Sequence, residues 1–163
     1  MQRIYSFPPI ADQNSRILIL GSMPGVESLR KQQYYAHPQN QFWKIIYDLF
    51  ATPLEQDYEK KVDFLRSKGI ALWDVIENCY REGSSDAKIK EEKPNAIPKL
   101  LEQYPRIKCL FFNGTKAYDS YRKMIGFTEG WLYEKLESTS PANTKSYEFK
   151  LKNWRKILKY LSV

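Results

Sequence analysis

A chain of 163 residues with 42% hydrophobic content is long enough to bury one substantial core and too apolar for a disordered segment. Its 26 Lys and Arg outnumber 19 Asp and Glu, and the resulting charge of +7 favours a polyanionic partner, nucleic acid ahead of membrane. Two cysteines, Cys79 and Cys109, and a single histidine, His37, exclude an iron–sulfur cluster, a four-thiolate zinc site and any multi-histidine metal centre, so no metal or cofactor is expected.

In chain order, the apolar run Arg16–Leu20 predicts a strand over about 16–21, closed by the loop Gly21-Ser22-Met23-Pro24-Gly25. After Asn40, the residues Phe42, Ile45, Ile46, Leu49 and Phe50 repeat at helical spacing. Tyr58, Val62 and Leu65 predict a second helix that stops at Gly69, and a strand follows over about 69–75. The polar stretch 81–94 has no apolar period and should overhang whatever lies at the strand ends. Ile97, Leu100, Leu101 and Tyr104 predict a helix with Asn95 as its N-cap. A third strand is expected over about 107–113. The helix of Ala117, Tyr118, Tyr121, Met124 and Ile125 then ends at Gly126. A fourth strand over about 131–137 runs into Ser138-Thr139-Ser140-Pro141-Ala142-Asn143. The last helix, about 143–161, places Tyr147, Leu151, Trp154, Leu158 and Leu161 on one face.

Strands alternating with helices imply an α/β fold with a parallel sheet covered on both faces, in a single domain spanning 1–163. No run approaches the length of a membrane span and no signal-like stretch opens the chain. A cytoplasmic, monomeric protein with reduced cysteines and no membrane partner is the expectation. The two small-residue loops, 21–25 and 138–143, would meet over one cleft at the carboxyl edge of the sheet, where open α/β folds bind ligands. Glycine lets backbone approach a ligand, and the hydroxyl and N–H groups suit phosphate oxygens.

These loops, together with Tyr34-Tyr35-Ala36-His37-Pro38-Gln39-Asn40-Gln41-Phe42-Trp43, resemble the uracil-DNA glycosylase superfamily, and most closely its hypoxanthine-DNA (deoxyinosine) glycosylase branch. Leu72-Trp73-Asp74-Val75, Gly83-Ser84-Ser85-Asp86 and Phe111-Phe112-Asn113-Gly114 fit the same branch, and the similarity covers about 4–161. The resemblance implies a three-layer α/β/α sandwich around a short, mostly parallel four-stranded sheet. It implies a monofunctional repair enzyme that flips a deaminated base, most closely hypoxanthine, out of double-stranded DNA and hydrolyses its N-glycosidic bond. Where the superfamily usually carries a catalytic Asp or Asn in its first loop, this chain has Met23. Where the second loop usually begins with His, it has Ser138. In the hypoxanthine branch the catalytic work is attributed to the asparagine matching Asn40.

Glycoside cleavage builds positive charge on the sugar, so a neutral amide that holds water and faces that charge suffices. Asn40 fits this role. It is also a favoured capping residue ahead of an amphipathic helix, and one side chain can do both. Asp74 matches the superfamily's base-reading position: an ionised carboxylate accepts from the N1–H of hypoxanthine, although a strand-end Asp can equally cap. Met23 is expected to pack beside the extruded base. Tyr35 is expected to stack on it or be buried, and His37 to contact base or phosphate or simply pack its loop. Gly21, Ser22, Ser138, Thr139, Ser140 and Asn143 are expected at the phosphates, with Asn143 alternatively capping the last helix. Asn113 and Gly114 open a helix whose amides can hold phosphate. Rival readings are a uracil or mismatch glycosylase, a DNA-binding relative without catalysis, and an enzyme of free nucleosides.

Overall fold

The computed structural model describes residues 2–161. In chain order the elements are β1 (Ile4–Tyr5), β2 (Ile17–Gly21), α1 (Val26–Lys31), α2 (Phe42–Leu49), α3 (Tyr58–Ser67), β3 (Ile70–Asp74), β4 (Ile76–Tyr80), β5 (Lys90–Pro94), α4 (Ile97–Gln103), β6 (Cys109–Asn113), α5 (Thr115–Met124), β7 (Leu132–Leu136) and α6 (Tyr147–Trp154). Short 3-10 helices cover Asp86–Lys88 and Arg155–Tyr160.

Four strands form an all-parallel sheet in the order β3-β2-β6-β7. The alternation of side chains across each strand splits the core into two layers. Ile17, Ile19, Ile70, Leu72, Cys109 and Phe111 face Phe42, Ile45, Ile46, Leu65 and Trp154 from α2, α3 and α6. Leu18, Leu20, Ala71, Leu110 and Phe112 face Ile97, Leu100, Leu101, Ala117 and Tyr121 from α4 and α5. This is the three-layer α/β/α sandwich, and burial on both faces explains why these strands read as unbroken apolar runs. The outer strand β7 carries Glu134 and Lys135, charges that suit an uncovered edge.

A second, antiparallel sheet of order β1-β4-β5 was not anticipated. The 81–94 stretch, expected as an overhanging loop, supplies a turn, a 3-10 helix and β5. Two helix starts also differ. Asn95 does not cap α4; the cap position is Ala96, and the Asn95 amide instead donates to the Asp74 carbonyl (2.8 Å) and Ser6 Oγ (3.2 Å). The last helix starts after Ser146, whose Oγ accepts from Phe149 N, and not at Asn143.

Candidate active site

The chain leaves β2 on one side to make β3, then returns on the other side to make β6. Such a reversal leaves a crevice beyond the carboxyl ends of the strands. The residues that end these strands are Gly21, Asp74 and Asn113, so the crevice floor is set by sheet register.

Gly21 is buried. A Cβ placed there would lie 2.6 Å from Asp74 Oδ1 and 2.8 Å from the Tyr35 hydroxyl, so only glycine lets both polar atoms crowd this spot. Asp74 is 4% exposed. Its Oδ2 and the Tyr35 hydroxyl are both buried without a hydrogen-bond partner. Burial pushes the Asp74 carboxyl up to about 7; the charge of Asp86 adds to the rise and Arg81 opposes it. Burial, and then the Asp74 charge, raise the Tyr35 phenol well above its usual range; the nearby Asn113 amide opposes the rise without cancelling it, so the phenol remains an O–H donor. Tyr35 sits at φ 54°, a left-handed conformation uncommon for an aromatic residue and characteristic of functional loops. Its ring stacks on Phe42, with centroids 4.2 Å apart and an interplanar angle of 22°.

Asn40 closes the amino end of α2. Its Oδ1 accepts from Phe42 N (3.0 Å) and its backbone N–H donates to the His37 carbonyl (2.9 Å). The capping role is therefore real, one residue ahead of the backbone cap position Gln41. An amide oxygen has a second lone pair, and neither bond uses the NH2 group, so capping leaves chemistry available. Gln41 N donates to the Thr139 carbonyl (3.1 Å), which joins the Asn40 loop to the second small-residue loop. Gln41 Oε1 accepts from Lys150 Nζ (2.9 Å). Thr139 is clamped in turn by Asn113: its N–H donates to Asn113 Oδ1 and its Oγ1 accepts from Asn113 Nδ2, both at 3.0 Å. One hydrogen-bonded chain thus links Asn40's neighbour, the second loop and the end of β6.

The first loop is braced from the other side. Ser22 Oγ donates to Asp86 Oδ1 (2.8 Å), Val26 N donates to Ser84 Oγ (2.9 Å), and Arg81 donates to the carbonyls of Pro24 (2.6 Å) and Gly83 (2.7 Å).

Several expected roles change with these placements. Met23 is buried and packs with Ile76 and Cys79 in a satellite cluster that also includes Ile89 and Met124. Gly21 and Thr139 are buried and internally bonded, and the Ser22 hydroxyl bonds Asp86, so the contacts these three make here hold the loops together. Ser138 Oγ accepts from Ser140 N and Ser140 Oγ accepts from Ala142 N, which leaves each hydroxyl proton free to donate. Asn143 folds its own loop, donating to the Ser138 carbonyl (3.0 Å) and Glu137 Oε1 (3.2 Å). His37 is exposed and its Nδ1 accepts from Gln39 N (3.1 Å). Lys150 on α6 is buried at 2% exposure, and desolvation lowers its pKa. The Asn113 clamp and the Lys150 tie were both missed. The signal available for the first was a polar residue closing an apolar strand, as Asp74 does.

The fold defines an open α/β protein with a doubly covered parallel sheet, the class in which ligands bind beyond the strand ends at the switch point. The family model described as the Uracil DNA glycosylase superfamily matches residues 8–162, and the chain belongs to that superfamily. It is 37% identical over 156 residues to a protein of Methanosarcina barkeri named hypoxanthine DNA glycosylase, covering 94% of this chain and 96% of the relative. A protein of Methanosarcina acetivorans with the same name is 38% identical over 155 residues, covering 94% and 97%. A Schizosaccharomyces pombe protein named G/U mismatch-specific uracil DNA glycosylase is 29% identical over 142 residues, 79% of this chain and 42% of that protein. The solution NMR structure of a candidate uracil DNA glycosylase from M. acetivorans superposes with a TM-score of 0.85 at 37% identity, covering 98% and 99% of the two chains.

Proposed function

We propose that this protein is a DNA glycosylase that releases hypoxanthine from deoxyinosine in duplex DNA and leaves an abasic site. The observation that carries the reading is the meeting of the Asn40–Gln41 turn with Thr139 beside a floor of Gly21, Asp74 and Tyr35. The names of the two full-length Methanosarcina relatives support the choice of base. Asn40 is the group for water and developing sugar charge, Asp74 the acceptor for the base N1–H, and Ser138 and Ser140 the donors to flanking phosphates. An inosine mismatch lowers the cost of extrusion, a few kcal/mol for a paired base, before the pocket reads anything. The chain works as a monomer.

The test is release of base from duplexes carrying inosine, uracil or xanthine, followed by cleavage at the abasic site, with Asn40→Ala alongside. Hypoxanthine release is expected, and Asn40→Ala is expected to slow it by roughly 10²–10³, the loss typical of one preorganised polar group at the transition state. Robust uracil release without hypoxanthine release would transfer the substrate to the reading favoured by the S. pombe relative's name. Lesion binding without an abasic product would leave a DNA-binding protein.

A further inference from the structure

Among the described residues, three buried side-chain polar atoms lack a hydrogen-bond partner: the Tyr35 hydroxyl, Asp74 Oδ2 and Arg81 Nη1. Two of the three residues stand together, because Asp74 Oδ1 and the Tyr35 hydroxyl both lie within 3 Å of the point where a Gly21 side chain would begin. An unpaired buried polar group costs about 1–3 kcal/mol, so two of them on residues that both crowd Gly21 at the strand ends point to a partner that arrives with the ligand. The Tyr35 ring is fixed against Phe42 and its backbone is held in the left-handed region, so the hydroxyl is aimed by the fold.

We infer that the Tyr35 hydroxyl is a specificity-determining group: it donates to the carbonyl oxygen of the extruded base while Asp74 accepts from the adjacent ring N–H. The pair reads the –NH–C(=O)– edge that deamination creates. Hypoxanthine presents it as N1–H beside O6, and uracil and xanthine present the same pattern. Adenine and cytosine present the reverse, a bare ring nitrogen beside an amino group. There the carboxylate would face a lone pair and the hydroxyl would face a second donor. The pair rejects adenine and cytosine; guanine and thymine carry the same edge, so their exclusion falls to the guanine 2-amino group and the thymine methyl, by size and shape. The inference rests on the glycosylase reading above and adds to it the donor half of the reader. Tyr35 acts by its hydroxyl, over and above whatever its ring covers.

The experiment measures single-turnover base release by wild type and Tyr35→Phe on duplexes bearing hypoxanthine or 6-thiohypoxanthine. The second lesion keeps N1–H and the ring but replaces the carbonyl by a poor acceptor. Tyr35→Phe is expected to slow hypoxanthine release ~10-fold, the loss of one buried hydrogen bond. It is expected to leave thio-lesion release within about twofold of wild type, because the bond is already absent there. Equal slowing on both lesions assigns the hydroxyl to folding or loop order and overturns the inference. No slowing on either overturns it as well. If wild type releases no hypoxanthine at all, the failure belongs to the glycosylase reading itself. Circular dichroism of Tyr35→Phe, whose ring still stacks on Phe42, checks that the variant is folded.

Discussion

Asp74 carries opposing demands on one carboxyl group. Folding buries it and raises its pKa from the ordinary 3.8 to about 7, so between those pH values the native protein holds a proton that the unfolded chain has released. Its contribution to stability is therefore complete below pH 4 and is lost as pH rises through 7. Replacing Asp74 by Asn removes that dependence. Urea unfolding is expected to show the variant more stable than wild type at pH 8, by up to about 4 kcal/mol, with the gain disappearing near pH 4. Base release runs the other way, since the ionised carboxylate accepts from a ring N–H more strongly than the neutral acid does. Release of hypoxanthine by wild type is expected to fall as pH drops below 7, and Asp74→Asn should flatten that limb. Asp86, Arg81, Tyr34, Tyr35 and Tyr58 are the charged or titratable groups coupled to Asp74, and Asp86 is the one whose charge most opposes its ionisation. Gly21 offers a sharper local test. A methyl there meets Asp74 Oδ1 and the Tyr35 hydroxyl below 3 Å, so Gly21→Ala should abolish base release while leaving affinity for undamaged duplex within about twofold in a gel-shift titration, because duplex affinity rests on phosphate contacts.

At the scale of elements, the amino end of α2 depends on a partner far along the chain. Lys150 from α6 reaches Gln41, and Gln41 binds Thr139. Lys150→Met keeps the aliphatic stem and removes the tie. It is expected to lower the turnover rate ~10- to 100-fold, with KM for lesion duplex nearly unchanged, as a small displacement of a positioned group does. Sequence patterning located α2 to α6 and the four parallel strands, because each buries a face wide enough to impose a period. It failed for the antiparallel sheet for three distinct reasons. β1 is two residues long. β4 follows β3 after a single residue and merges with its apolar run. β5 is Lys-Glu-Glu-Lys-Pro and mostly exposed, so nothing in its composition signals a strand. Within the site, the loops and Asn40 were legible as motifs. The internal bonding of Thr139 and Ser22 was not, because it joins residues 26 and 64 positions apart.

For the whole molecule, the charge of +7 has a measurable consequence. Each neutralised phosphate adds about −0.9 to the slope of log affinity against log salt, so affinity for a lesion duplex is expected to fall at least ~10-fold between 50 and 200 mM salt. The rate of base release from bound duplex in single turnover should change far less, because the crevice floor is buried from the electrolyte.

The corner between β3 and β4 has a wider implication. The strand that ends on Asp74 continues after Val75 into the antiparallel sheet, and Asn95 pins the turn by holding the carbonyls of both residues, through its side chain for Asp74 and its backbone N–H for Val75. The carboxylate's aim is thus governed by 74–95, whereas Asn40 and its companions belong to 34–41 and 138–143. The acceptor half of the base reader therefore travels with a segment apart from Asn40, while its donor half, Tyr35, shares Asn40's own loop. Exchanging 74–95 between homologues should alter which ring N–H is accepted and leave the Tyr35 donor and the Asn40 turn in place.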